Sequence, residues 1–555
     1  MQEILSENYY DQIIDNGIVP FYDVGTNITF LNERHSLLNI PVIQPDLCDV
    51  GINPYHRFPS IYTTQSTTSL EKSNISEVQR NPYLALYGQG ILVGVIDTGV
   101  DYLHPTFCYA DNSSKIMSIW DQSIQGESIP EGFTFGTEFT REEINVALQS
   151  PNPLEIVPSI DEDGHGTAMA SIIVGNQDLG NSFSGVVPEA ELVVVKLKQA
   201  KQNLRKLFCI PEEAMAFEES DIMLGVRYVL SVAQRCGKPV AICMGLGSSQ
   251  GGHDGRGALS SYLNYIAQLS RAGVAVSAGN EGNRRRHYYG SVTEAIQYKD
   301  FELLIDSRDS EFALEIWADT PSRLAIVITA PTGETTQLIY PKIGICNRYD
   351  FVFNQTRVWV NNIIFEEETG DPLILVRFQN PMQGIWRFRV QSIERESASF
   401  HAWLPSEYLI SRGTYFLESD PNTTITSPGN GIHSLTVTAY NQETDSILIG
   451  SSRGYSRIGG IKPDIAAPGY QLTCALPNGK YGSLTGTGAA AAHTAGVIAI
   501  ILEWAVPREN YPSITGNNIN HLIIRGAQRD KDYVYPNNIW GYGKINVSGV
   551  FERLS

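Results

Sequence analysis

Four stretches of this 555-residue chain carry side chains suited to acyl transfer, and they occur in a fixed order. Asp97 ends the apolar run Ile91-Leu92-Val93-Gly94-Val95-Ile96. His165 lies between two glycines in Asp161-Glu162-Asp163-Gly164-His165-Gly166-Thr167. Asn280 sits in Ala278-Gly279-Asn280-Glu281-Gly282. The fourth is the glycine-broken loop Ser483-Leu484-Thr485-Gly486-Thr487-Gly488, which runs into the apolar helix Val497–Leu502. In acyl transfer a histidine takes the proton of the attacking oxygen. An aspartate fixes the tautomer of that histidine, and an amide donor stabilises the oxyanion. A helix start adds unpaired N–H groups and a positive dipole end, which suit an anion or an attacking oxygen. Taken singly, each has an ordinary structural explanation. An aspartate at a strand end is often a turn cap, and a lone histidine is usually structural. The set in this order is far more specific than its members.

The elements around these residues read as alternating strands and helices. Strands are expected at Ile91–Ile96, Glu191–Lys196, Pro239–Met244, from Val274, and at Ser434–Tyr440, with helices at Ile222–Gln234 and Leu259–Ser270. Continuous apolar strands spaced by helices imply a doubly wound parallel sheet. Asp97 then falls at the C-terminal end of a strand, where open α/β sheets place functional groups. Residues 1–65 read as a small α+β unit with short runs such as Asn27-Ile28-Thr29-Phe30. The polar stretch Tyr62–Ser69 reads as a linker or processing site, centred on Gln65 and Ser66. From 297 to 410 the period changes to two, in short strands separated by Asp, Pro, Gly and Asn. That is an all-β insert, sandwich or jelly-roll-like. It divides the α/β domain into 66–296 and 411–555.

Bulk properties narrow the class. The net charge of −20 argues against nucleic acid or anionic membrane as main partner. The run Arg284-Arg285-Arg286 reads as a solvated loop. Seven cysteines at scattered positions, with no Cys-x-x-Cys pair, indicate neither a disulfide framework nor a zinc site, so buried free thiols and a reducing compartment are expected. No cofactor is called for, and no calcium or other metal site can be assigned by spacing. The N-terminus lacks a basic start and an apolar core, so no signal peptide is expected. No run of about 18 apolar residues occurs, so no membrane span is expected.

The four motifs resemble those of the subtilisin-like peptidases over roughly 90–295 and 425–550. Carried over residue by residue, Asp97 and His165 match the aspartate and histidine of the triad, and Asn280 matches the oxyanion donor. Gly245-Leu246-Gly247 matches the Ser-Leu-Gly strand that binds substrate backbone. Lys462-Pro463-Asp464-Ile465 with Ala467-Pro468-Gly469 matches a further family motif. The opening loop resembles Gly-Thr-Ser-(Met/Phe)-Ala-x-Pro-His, with Gly488 in the place of the serine, Ala492 in that of the proline, and Gly245 in that of the other serine. The short N-terminal unit, the β insert and Asp97-Thr98-Gly99-Val100-Asp101-Tyr102-Leu103-His104-Pro105 are similar to the Csp family, the clostridial spore-germination subtilases.

That resemblance implies a subtilisin-like α/β fold with an N-terminal prodomain and a jelly-roll insert. It also implies residence in the bacterial spore, in the cortex or coat region after synthesis in the mother cell. Active members of the family process the zymogen of a cortex hydrolase; others are pseudoproteases, one implicated in sensing bile salts. A glycine has no oxygen with which to form an acyl-enzyme, and loss of the nucleophile costs on the order of 10⁶ in turnover. The expectation is therefore a pseudoprotease with its prodomain still attached. Its partners would be an active Csp-family protease, a small-molecule germinant such as a bile salt or amino acid, or the zymogen. The alternatives are an active serine endopeptidase with Gly488 engineered or bypassed, and a scaffold presenting the β insert as a carbohydrate- or peptide-binding module.

Overall fold

The computed structural model describes residues 3–17, 28–42, 46–62, 71–178, 180–181, 183–353 and 355–554. Its centre is a nine-stranded sheet. In spatial order the strands are Ser446–Ile447, Leu435–Asn441, Ala272–Ser277, Val240–Met244, Leu92–Asp97, Glu191–Lys196, Ile116–Asp121 and Thr137–Thr140, with Ile465–Pro468 also paired to Leu435–Asn441. Every pairing is parallel except those of the two short strands at the ends. Both faces are covered, and the sequence alternates accordingly. Val93 and Val95 join the core under the helices His165–Val174 and Thr487–Ala505. Leu92 and Ile96 point to the other core, under Glu219–Cys236 and Ala258–Ile266. Between them Gly94 lets the long helix approach. A Cβ there would lie 2.4 Å from a methyl of Val229. The fold is thus the expected subtilisin-like, doubly wound parallel sheet.

The helix Thr487–Ala505 is long and apolar enough to cross a bilayer by length and composition, but here it is a core helix, with 94% of its apolar window buried inside the chain. The helix expected at Leu259–Ser270 ends earlier, at Ile266, because Ser270 and Arg271 turn back to bond the segment before Gly516–Gly526.

The β insert is a two-sheet antiparallel sandwich. One sheet has six strands, ordered His287–Val292, Ala398–Trp403, Glu311–Ala318, Leu373–Gln379, Thr356–Ile363 and Cys346–Phe351. The other has four, ordered Leu324–Thr329, Gly384–Ser392, Tyr298–Ile305 and Tyr415–Phe416. Phe301, Phe312, Phe378, Trp386 and Phe388 fill the space between them. The β layer therefore begins at His287 and ends at Phe416, wider on both sides than the expected 297–410.

The N-terminal unit contains the antiparallel sheet Tyr9–Asp15, His35–Pro41, Ile28–Phe30. Tyr10, Val50, Tyr55, Phe58 and Ile61 bury themselves against Leu204, Phe208, Trp317, Leu375 and Trp403. That one cluster joins the unit to both the α/β domain and the sandwich. Ile61–Tyr62 pairs antiparallel with Phe217–Glu218.

Two sequence expectations fail in this junction. Cys48 and Cys346 form a disulfide between the N-terminal unit and the sandwich, across 298 residues of chain, where only free thiols were expected. Cys209, Cys243 and Cys474 are buried and free, as expected. The basic run is also not a solvated loop. Arg286 is 3% exposed, ion-pairs with Glu281 and donates to the carbonyls of Pro405 and Ile410. Arg284 pairs with Glu407 and Arg285 covers the ring of Tyr415. Contacts to the sandwich engage all three side chains, with Arg285 still exposed.

Candidate active site

Asp97 is the last residue of its strand and is 1% exposed. The Nδ1–H of His165 donates to Asp97 Oδ1 at 2.7 Å, and the backbone N–H of Thr98 donates to the same oxygen at 2.8 Å. His165 is the first residue of its helix, after Gly164 at φ 90°, a left-handed conformation that favours glycine. Gly166 is needed for a different reason. A Cβ on it would lie 2.1 Å from the carbonyl oxygen of Gly99, so only glycine lets the helix start abut the turn after Asp97.

One residue that sequence reasoning passed over organises this junction. Asp161 accepts from Thr98 Oγ1 at 2.8 Å, from the Gly164 and Thr167 amides at 2.9 and 2.8 Å, and from Thr167 Oγ1 at 2.6 Å. Thr98 Oγ1 in turn accepts the Gly166 amide at 2.9 Å. The buried carboxylate thus ties the aspartate turn to the histidine helix. The only sequence signal was an acid shortly before the Gly-His-Gly-Thr motif.

Beneath the pair lies Gly245. A Cβ there would stand 2.7 Å from Met169 Cε, 3.5 Å from His165 Cε1 and 3.7 Å from Asp97 Oδ2. Leu246 and Gly247 continue from it as buried chain. Asn280 approaches from the other side. Its Oδ1 accepts from the Thr487 amide at 3.1 Å and the Thr487 hydroxyl at 3.2 Å. With its carbonyl end so occupied, the NH₂ is the end that suits an oxyanion. Gly488 follows Thr487 as the second residue of the core helix, and Gly486 before it takes φ 148°. Position 488 therefore stands at a buried helix start linked to Asn280, and it carries no side-chain oxygen.

The neighbouring hydroxyls have other duties. Thr487 Oγ1 also accepts the Gly279 amide, and Thr485 Oγ1 accepts that of Gln471. His493, within the helix Thr487–Ala505, bonds Ser73 Oγ at 2.8 Å, and burial lowers its pKa to about 3. Lys462 binds Asp464 and the Ser434 carbonyl, and Asp464 accepts the Thr436 amide, so this motif anchors the strand Ile465–Pro468.

His165, Asn280 and Thr485 line one cleft of about 570 Å³, which is also lined by Arg308, Asp309 and Tyr408–Ser411 from the sandwich and by Pro211 and Glu213–Met215 from the α/β domain. Asp97, His165 and Gly245 are thus in contact, and Asn280 is bonded into the helix start that bears Gly488. Gln65 and Ser66, the expected processing junction, lie outside the described residues. Among the described residues no His, Cys, Asp and Glu cluster suited to a metal ion is found.

A parallel α/β sheet with a buried Asp–His pair at its strand ends, facing an asparagine across a cleft, defines the subtilisin-like class of serine peptidases. The chain belongs to the subtilase family of S8 peptidases, whose family model matches residues 88–300 and 406–543. The gap in that match is occupied by most of the sandwich. The structure is similar to that of the Clostridium perfringens CspB protease, with a TM-score of 0.76 and 27% identity over 87% of this chain and 98% of that one. Among curated proteins, the C5a peptidase of Streptococcus pyogenes is 21% identical over 81% of this chain, which spans 37% of that protein's length. The serine protease AprX of Bacillus subtilis is 30% identical over 22% of this chain and 31% of its own length.

Proposed function

We propose that this chain is a catalytically inactive subtilase of the bacterial spore, a pseudoprotease that regulates germination. It acts as a germinant sensor, as a regulator of an active Csp-type protease that processes the cortex-hydrolase zymogen, or as both. The reading rests on Gly488, which by the resemblance of its loop to Gly-Thr-Ser-(Met/Phe)-Ala-x-Pro-His stands where the family has its nucleophilic serine. A triad without its attacking atom keeps binding and an oxyanion site but loses on the order of 10⁶ in turnover. Gly245 and Ala492, where the family has serine and proline, are further departures in the same cleft and support natural loss over a single engineered change. The likeness to the Clostridium perfringens CspB protease supports the spore setting.

In this reading residues 1–65 are a prodomain that stays covalently attached, since self-processing needs the missing oxygen. The shared core of Tyr10, Tyr55, Phe58, Phe208 and Trp317 supports such permanence. Intact-mass measurement of the purified protein tests it directly. The full chain is expected; a chain beginning near Ser66 would count against the proposal. The ligand side is tested by binding of bile salts, of amino acids and of an active Csp-type protease to the full chain. A second reading, an active endopeptidase acting on the zymogen, is favoured by the Asp97–His165 bond, which is of the kind a working triad needs.

A further inference from the structure

The six-stranded sheet of the sandwich ends in Cys346–Phe351, which among the described residues pairs on one side only, with Thr356–Ile363. An edge strand offers a row of unpaired backbone groups and recruits another strand unless something blunts it. This one contains no proline, and its register with its neighbour is continuous from Cys346↔Asn361 to Phe351↔Thr356, with no bulge. Large apolar side chains stand exposed at both ends. Ile343 is 73% and Ile345 44% exposed before the strand; Val352 is 80% and Phe353 81% exposed after it. The Val352 and Phe353 amides are held by the carboxylate of Glu334 at 2.9 and 3.1 Å, so these rings and methyls are presented on a fixed turn. These flanking side chains leave apolar surface that a strand added at this edge would cover.

The strand's charges say what the partner is. Phe351 is buried in the sandwich against Trp386. Arg348 and Asp350 lie on the opposite face, exposed, one on each side of Tyr349; within one chain Asp350 pairs with Arg348 at 3.1 Å and with Arg357 of the neighbouring strand at 2.9 Å, contacts that a second copy would share. Two copies of this strand, paired antiparallel about a two-fold axis at Tyr349 and keeping the same face up, set each Arg348 opposite the partner's Asp350. Opposite charges across a strand pair stabilise it, and like charges disfavour it. The same axis brings Ile345 alongside the partner's Phe353. Moving the axis by one residue either way sets Arg348 against the partner's Arg348, or Asp350 against the partner's Asp350. The pattern is therefore self-complementary in one register only, as an isologous contact requires.

We propose that the edge strand Cys346–Phe351 docks a second copy of this chain, joining the two six-stranded sheets into one across a two-fold axis at Tyr349. The contact lies on the sandwich, outside the cleft of His165 and Asn280, and holds whether or not the chain is a peptidase.

Sedimentation velocity of the full chain over a concentration series tests this, with a monomer–dimer equilibrium expected for the wild type. Arg348→Asp and Asp350→Arg each set like charges against like in the homodimer. Each variant is expected to weaken it roughly tenfold or more. Mixing the two variants restores both opposite-charge pairs, so the mixture regains the dimer that neither forms alone. This recovery also shows that the variants are folded. A wild type that stays monomeric, a dimer that neither variant weakens, or a mixture that fails to recover each overturns the proposal. So does a wild type that associates only with a strand of another protein.

Discussion

Replacing Lys201 by methionine tests how the N-terminal unit is held. Lys201 belongs to the α/β domain, and its Nζ donates to Asp11 Oδ1 at 2.6 Å and to the Tyr9 carbonyl at 3.0 Å. The two side chains are 4% and 1% exposed. Asp11 Oδ1 keeps only Asn39 Nδ2, at 2.6 Å, once the ammonium is gone, and Oδ2 makes no hydrogen bond. At about pH 8, where the carboxyl of Asp11 is ionised beside Lys201, removing one member of a buried pair costs about 3–5 kcal/mol, because it strands the other charge. At about 1.4 kcal/mol per decade that is roughly 10² to 10⁴ in the docking equilibrium.

Hydrogen exchange reads this change at amides bonded only while the unit is docked. Those of Gln202 and Asn203 donate to the Glu7 carboxylate at 3.0 Å each, and others join Ile61–Tyr62 to Phe217–Glu218. Their protection is expected to fall by that factor in Lys201→Met and to recover when Asp11→Leu is added, since an apolar pair replaces a buried ion pair at little cost. Unchanged protection in Lys201→Met, or a further loss in the double variant, would refute the reasoning.

The same cluster sets a pH dependence. Burial raises the pKa of Asp11; Lys201 opposes the shift and the charge of Glu218 adds to it. The docked state therefore holds a proton that the undocked state releases. That contribution is present in acid and is lost as pH climbs out of the ordinary carboxylate range. Docking is expected to be firmer at about pH 5 than at about pH 8, more markedly so in Lys201→Met, where the opposing cation is gone.

Three further outcomes follow from the packing. Cys48→Ser with Cys346→Ser removes a link across 298 residues and is expected to lower stability to urea by about 2–5 kcal/mol, with the loss concentrated in the N-terminal unit. Gly245→Ser sets a Cβ 2.7 Å from Met169 Cε and is expected to cost about 1–3 kcal/mol, relieved by Met169→Ala. Arg286→Ala strands the buried carboxylate of Glu281 and is expected to cost about 3–5 kcal/mol, read as faster exchange where the sandwich meets the α/β domain.

What could be read from the sequence was what is local. The strand before Asp97 shows as an unbroken apolar run, and Glu191–Lys196 was bounded correctly because both of its faces are buried. The Gly-His-Gly-Thr motif carries its own explanation in the contact of Gly166 with Gly99. What could not be read depends on partners distant in sequence. Nothing near Cys48 names Cys346. Three consecutive arginines look solvated until the sandwich supplies Glu407, Tyr415 and the carbonyls of Pro405 and Ile410. Asp161 has no periodicity to betray it, because its role lies in four hydrogen bonds gathered from a turn and a helix start. The sandwich limits were missed where its outermost strands are weak signals: His287–Val292 contains a glycine, and Tyr415–Phe416 is two residues long.

The proposed reading holds that the Asp97–His165–Asn280 frame persists while position 488 offers no attacking oxygen, and labelling by a fluorophosphonate probe tests it most directly. No labelling of the native chain is expected, whereas Gly488→Ser is expected to label and to lose that labelling when His165→Ala is added. Labelling of the native chain at an active-site residue would contradict it.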